Sequence, residues 1–200
     1  GKDPSKFTLK AQKETLSKGL KFIYVGSIGP QYKLDDMLKI YQTAYERDEN
    51  SSFTILTGNQ EIVNEKLKGY SSDLCNSIIL KKVDPDNVPA YIAESDIGFA
   101  LREANFSMKG VAPIKLSEYL LCGIPVIASK GIGDSERYLK NTKAAFMFDN
   151  LDEKRIEDIL HWCESVKSDY EIRDEARAIG LKYFNINQTV DLYHQAIQNL

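Results

Sequence analysis

Lys115 and Glu118 stand at the head of an apolar, helix-like run, KLSEYLLCGIPVIAS (115–129), where a buried helix should begin. The first turn of a helix presents unpaired N–H groups and a positive dipole end, so an anion can be held there by backbone amides with a lysine beside them. A carboxylate one turn further in can accept two hydrogen bonds from a diol such as ribose. On spacing alone, Glu118 reads equally well as a complement to the helix dipole and Lys115 as a solvated side chain.

Three neighbouring stretches carry related chemistry. In VGSIGPQYKL (25–34), Gly26 and Gly29 leave room for close backbone approach and Lys33 places a charge near a helix start, which suits a phosphate. The glycines are not spaced as GxGxxG, so the dinucleotide fingerprint is absent. In LREANFSMKGVAPIKLSEYL (101–120), a long loop ends at Pro113, and the amides from Val111 through Ala112 and Ile114 to Lys115 are candidates to face an anion. In SKGIGDSERYL (129–139), Asp134 and Ser135 read as helix caps, with a second anion contact as the alternative. Asp84-Pro85-Asp86 has the look of a metal-binding DxD, but between a strand and a helix it reads as turn and cap, Asp86 capping a short helix through Tyr91. No metal is expected.

Such residues need a frame. Six β-type runs, at 22–26, 53–58, 77–82, 97–101, 125–129 and 144–148, alternate with amphipathic stretches such as Leu34, Leu38, Tyr41 and Tyr45. Their near-continuous apolar character predicts strands buried on both faces, hence a Rossmann-like α/β parallel sheet with helices on both sides. Residues 151–200 read as two or three helices with Leu181, Phe184, Leu192 and Ile197 among their apolar positions, and 1–18 as a polar lead-in. In such a sheet a ligand sits beyond the carboxyl ends of the strands, which is where the four stretches above fall.

Composition narrows the function. With 26 basic and 29 acidic residues among 200, the net charge is -3, so no nucleic-acid partner is expected. The hydrophobic share of 42% is ordinary for a folded domain, and no run approaches the ~20 apolar residues of a membrane span. Cys75, Cys122 and Cys163 share no CxxC or metal-like spacing and read as reduced core thiols of a cytoplasmic protein. His161 and His194, in the tail, read as structural or solvent-facing.

Read in order, FIYVGSIG with Lys33, FTILTGN, IILKKVDPDNVPAYIAESDIGFAL, PIKLSEYLLCGIPVIASKGIGDSERYL and AAFMFDN resemble the C-terminal, donor-binding domain of GT-B glycosyltransferases, particularly the GT4-like group of retaining enzymes. The resemblance covers about residues 20–150, its most specific piece being Glu118 followed by Gly123, Pro125 and Val126; the helical tail is similar to the family's closing helices. It implies one half of a GT-B fold binding a UDP- or GDP-type sugar donor, with no cofactor. Glu118 would hold the ribose. Lys33, Lys115 and the backbone from Gly110 to Ile114 would hold the diphosphate, Gly26 and Ser27 would approach it, and Lys82, Val83 and Val88 would border the base.

Two positions depart from the family pattern: Ser27 stands where an arginine is usual, and Gly110 where a first glutamate is usual, with Arg102, Glu103 and Lys109 nearby as stand-ins. The resemblance also implies an acceptor-binding N-terminal domain outside these residues, the route to any membrane association, and an apolar tail face open to self-association. A GT-B-type epimerase or hydrolase and a non-catalytic nucleotide-binding scaffold are the rival readings.

Overall fold

Strands that are apolar on both faces can leave neither face in water, and the six runs pair into one sheet. The computed structural model describes residues 1–7, 9, 18–111, 114–187, 190 and 197. Its strands are β1 (Lys21–Val25), β2 (Ser52–Leu56), β3 (Ile78–Lys81), β4 (Ile97–Ala100), β5 (Val126–Ser129) and β6 (Ala145–Phe148), all parallel, in the order β3-β2-β1-β4-β5-β6. Phe22, Ile23 and Tyr24 are each buried although neighbours along a strand point to opposite faces, so both faces are covered. Six expected strands are six observed strands. Phe22 stacks on Phe99 across the centre, their rings 5.2 Å apart.

The helices are α1 (Leu34–Arg47), α2 (Gln60–Leu67), α3 (Ser72–Asn76), α4 (Val88–Ala93), α5 (Ile114–Leu121), α6 (Ser135–Leu139), α7 (Glu153–Lys167) and α8 (Tyr170–Phe184). In α1, Leu34, Met37, Leu38, Tyr41 and Ala44 fall at helical spacing and are buried, while Asp35 and Asp36 in the first turn and Arg47 in the last complement the dipole. In the tail, α7 packs on α1 and α8 on α5. Leu192 and His194 lie outside the described residues; His161 is exposed on α7. Residues 1–7, part of the expected lead-in, run beside the end of α8: Lys2 N donates to Phe184 O at 2.7 Å, Arg177 Nη1 donates to Phe7 O at 2.7 Å, and Phe7 is buried.

Capping departs from expectation at two places. Pro85 starts a short 3₁₀ turn, Pro85–Asn87, which absorbs Asp86 and moves the cap position of α4 to Asn87. Asp134 does precede α6, but its carboxylate accepts from the Tyr138 hydroxyl at 3.2 Å and caps no amide; the Gly131 N–H is taken by Glu136 at 2.8 Å. That amide is therefore already bonded within the loop.

The topology creates the crevice. The chain builds β1, β2 and β3 in one direction, then returns through α4 to lay β4 on the other side of β1, so the switch of direction falls between β1 and β4. Pairing of β1 with β2 continues to Val25 and Leu56, whereas pairing with β4 stops at Ile23 and Gly98. The two central strands part at their carboxyl ends. The freed Val25 N–H is accepted at 2.9 Å by the Tyr119 hydroxyl of α5. Gly98 permits this, because a Cβ there would stand 2.7 Å from the Tyr119 ring.

Candidate functional site

Where β1 and β4 separate lies a cavity of ≈ 550 Å³, within the usual range for small-ligand sites. Its walls come from the carboxyl ends of β1, β2, β3 and β4 and from the first turns of α5. Of the residues expected from sequence, Gly26, Ser27, Lys82, Val83, Val88, Ile114, Lys115 and Glu118 line it together. Gly110 ends a 3₁₀ turn, Phe106–Gly110, and neither it nor Val111 reaches the cavity; Ala112 and Pro113 lie outside the described residues.

Lys33 is placed elsewhere. Its ammonium sits 3.5 Å from the Asp36 carboxylate, one turn along α1, and donates to Asp149 O at 3.2 Å. It lines a separate depression with Gly29, Asp35 and Glu103. Lys33 is thus held by the carboxylate one turn along its own helix and by the Asp149 carbonyl.

Three cationic side chains line the cavity, Lys82, Arg102 and Lys115, and the last two converge beside Gly26 and Tyr32. Lys115 approaches so closely over Gly26 that a Cβ at that position would stand 2.6 Å from Lys115 Cε; Gly26 also holds φ +120°, a conformation that side-chain-bearing residues rarely adopt. The ammonium donates to the Tyr24 hydroxyl, which in turn donates to Ser27 O at 2.5 Å. Burial, and then the Arg102 guanidinium, bring the Lys115 ammonium down to about 7, against an opposing pull from the Glu118 carboxylate. Burial pushes the Tyr24 phenol far upward, so it remains a neutral hydroxyl.

Arg102 follows β4, and its backbone N–H donates to Ser129 Oγ at 3.0 Å. Its Nε is buried with no hydrogen-bond partner. Neither Arg102 nor Lys115 forms an ion pair among the described residues. Glu118 is the one acidic side chain lining the cavity among the described residues; its Oε1 accepts from Lys2 Nζ at 2.8 Å, and its side chain is 16% exposed. Sequence reasoning weighed Arg102 only as a stand-in for a carboxylate and did not single out Tyr32, whose ring also lines the cavity. Among the described residues the crevice therefore presents net positive charge, the start of α5 and one acid, an arrangement fitted to an anion joined to a diol.

The profile of the family described as glycosyl transferases group 1 matches residues 5–179. The chain belongs to this family. As a group 1 glycosyltransferase domain it superposes on the C-terminal domain of a family member, LpcC from Francisella tularensis, with a TM-score of 0.68 and 15% identity over 93% of this chain and 100% of that one. It superposes on Anabaena HepE in complex with UDP and glucose with a TM-score of 0.75 and 15% identity, covering 100% of this chain but 56% of HepE. With a TarM variant from S. aureus, in complex with Fondaparinux, alpha-GlcNAc-glycerol and UDP, the TM-score is 0.69 at 10% identity, covering 94% of this chain and 38% of TarM. At such identities the likeness is one of fold: this group 1 domain is one half of a GT-B architecture. No curated protein matches the sequence significantly. Among the described residues no helix is long and apolar enough to cross a membrane, and no three His, Cys, Asp or Glu side chains cluster as metal ligands.

Proposed function

We propose that this domain holds the nucleotide-sugar donor, of UDP or GDP type, of a retaining glycosyltransferase. The acceptor, a glycan or lipid-linked sugar, is assigned to a further domain outside these residues, for which the longer relatives leave room. The observation that carries the reading is the pair of cations, Lys115 and Arg102, facing the switch-point crevice with no carboxylate among the described residues bonded to either.

In the transfer, the bond between the sugar's anomeric carbon and the β-phosphate oxygen breaks, and that oxygen keeps the electron pair. Charge grows on the departing diphosphate. Cations and amides already in position stabilise it more than water does, since they need not reorient. Lys115, Arg102 and the amides at the start of α5 take the diphosphate; Glu118 takes the ribose hydroxyls; Lys82, Val83 and Val88 border the base. No cofactor or metal enters this scheme.

Calorimetric titration with UDP and GDP tests it. Glu118→Ala should weaken binding by about ten- to a hundredfold, the cost of ~1.5–3 kcal/mol for one charge-assisted contact. Unchanged binding in that variant would remove Glu118 from the ribose. One observation favours a second, non-catalytic reading: among the described residues Glu118 is the one acid lining the cavity, and Gly110 contributes none. Donor turnover by the full-length protein with acceptor present decides between the two.

A further inference from the structure

Two of the cations that line the cavity, Lys115 and Arg102, meet on the ring of Tyr32. Lys115 Nζ lies 3.7 Å from the centroid of the Tyr32 ring and 4.2 Å from that of Tyr24. Arg102 Cζ lies 4.8 Å from the same Tyr32 ring. The two tyrosine rings stand 6.3 Å apart, inclined at 69°, so Lys115 is boxed between aromatic walls and Arg102 shares one of them.

Two like charges in a half-buried crevice repel, and the depressed Lys115 ammonium records that repulsion together with burial. A carboxylate would gather them, but it would also cancel the charge an anion needs. An aromatic face attracts cations through its quadrupole and adds no net charge. The surrounding loop is built to hold that face in place. Tyr32 N donates to Gly29 O at 3.0 Å, and Glu103 N, next to Arg102, donates to Gln31 O at 2.8 Å, so the loop after β1 is pinned to the loop after β4. The Tyr32 hydroxyl makes no hydrogen bond among the described residues, which leaves the ring as the part that holds the cations.

We propose that Tyr32 is the positioning residue that gathers Lys115 and Arg102 into a single diphosphate-gripping pair. The assignment rests on the nucleotide-donor reading above. It separates the part of the site that reads phosphate from the part that reads ribose and base.

Titrating the wild-type chain, Tyr32→Phe and Tyr32→Leu with UDP, inorganic pyrophosphate and uridine tests it. Tyr32→Phe should keep UDP and pyrophosphate affinity within about twofold, since the ring survives. Tyr32→Leu should lose roughly five- to thirtyfold for both phosphorylated ligands, two cation–ring contacts being removed, while uridine changes less than about twofold. Retained uridine binding also shows that the variant's cavity is folded. Equal UDP binding by wild type and Tyr32→Leu would overturn the proposal alone, as would a loss in Tyr32→Phe equal to that in Tyr32→Leu, or a matching loss of uridine. A wild-type chain that binds no nucleoside diphosphate would overturn the donor reading and this proposal with it.

Discussion

At the amino end of the sheet Arg173 is 5% exposed and Asp96 2%, and the two are joined: Arg173 Nη2 lies 3.3 Å from Asp96 Oδ1, while Asp96 Oδ2 accepts from the first amide of β1 at 3.0 Å. At the carboxyl end Lys115 and Arg102 share a crevice, their charged groups held by aromatic rings and the Tyr24 phenol. Each end leaves a guanidinium nitrogen without a hydrogen bond, Arg173 Nη1 at one and Arg102 Nε at the other. The difference lies in charge. Arg173 meets its counterion inside the fold, where it ties α8 to the sheet, and no ligand could use it. Lys115 and Arg102 meet neutral partners, so their charge remains to be answered from outside.

Breaking the matched pair should therefore cost stability and leave binding intact. Asp96→Ala strands a buried guanidinium, and urea denaturation should show a loss of about 3–5 kcal/mol, with UDP affinity unchanged. Lys115→Met should do the reverse. Removing a desolvated cation that forms no ion pair among the described residues should leave the unfolding midpoint level or raised, while UDP affinity falls by ~1.5–3 kcal/mol in calorimetry. If Lys115→Met destabilised the chain as Asp96→Ala does, the contrast between the two ends would collapse.

A pH series sharpens the contrast. The empty site holds Lys115 near 7, and a bound diphosphate favours the charged form, so above pH 7 the complex carries a proton that the free protein has given up. UDP affinity should fall as pH rises from 7 towards 9, by up to about tenfold per unit. Lys115→Arg, which stays charged throughout, should flatten that slope. The smallest effect is expected at Lys2, whose side chain is 37% exposed and competes for Glu118. Lys2→Met should tighten UDP binding by roughly two- to fivefold, the scale of an exposed ion pair.

The sheet was legible because burial on both faces leaves a plain mark, uninterrupted apolar runs, and because the crossover rule places ligands at the strand ends. Lys115 and Glu118 were legible for a related reason: charges at the head of a buried helix such as α5 need a purpose. Lys33 and Tyr32 show where the reading stops. They are adjacent in sequence, but the chain turns between them, and whether a loop residue faces the crevice or its own helix depends on backbone torsions that periodicity does not encode. Arg102 likewise carries no spacing signal, since its role arises from β1 and β4 parting at Gly98, a matter of register.

The most direct measurement is a crystal structure of the chain with UDP bound. The diphosphate should lie between Lys115, Arg102 and the first turn of α5, with the ribose hydroxyls on Glu118 in place of Lys2. Density for the diphosphate beside Lys33, or a nucleotide bound away from the β1–β4 crevice, would contradict it.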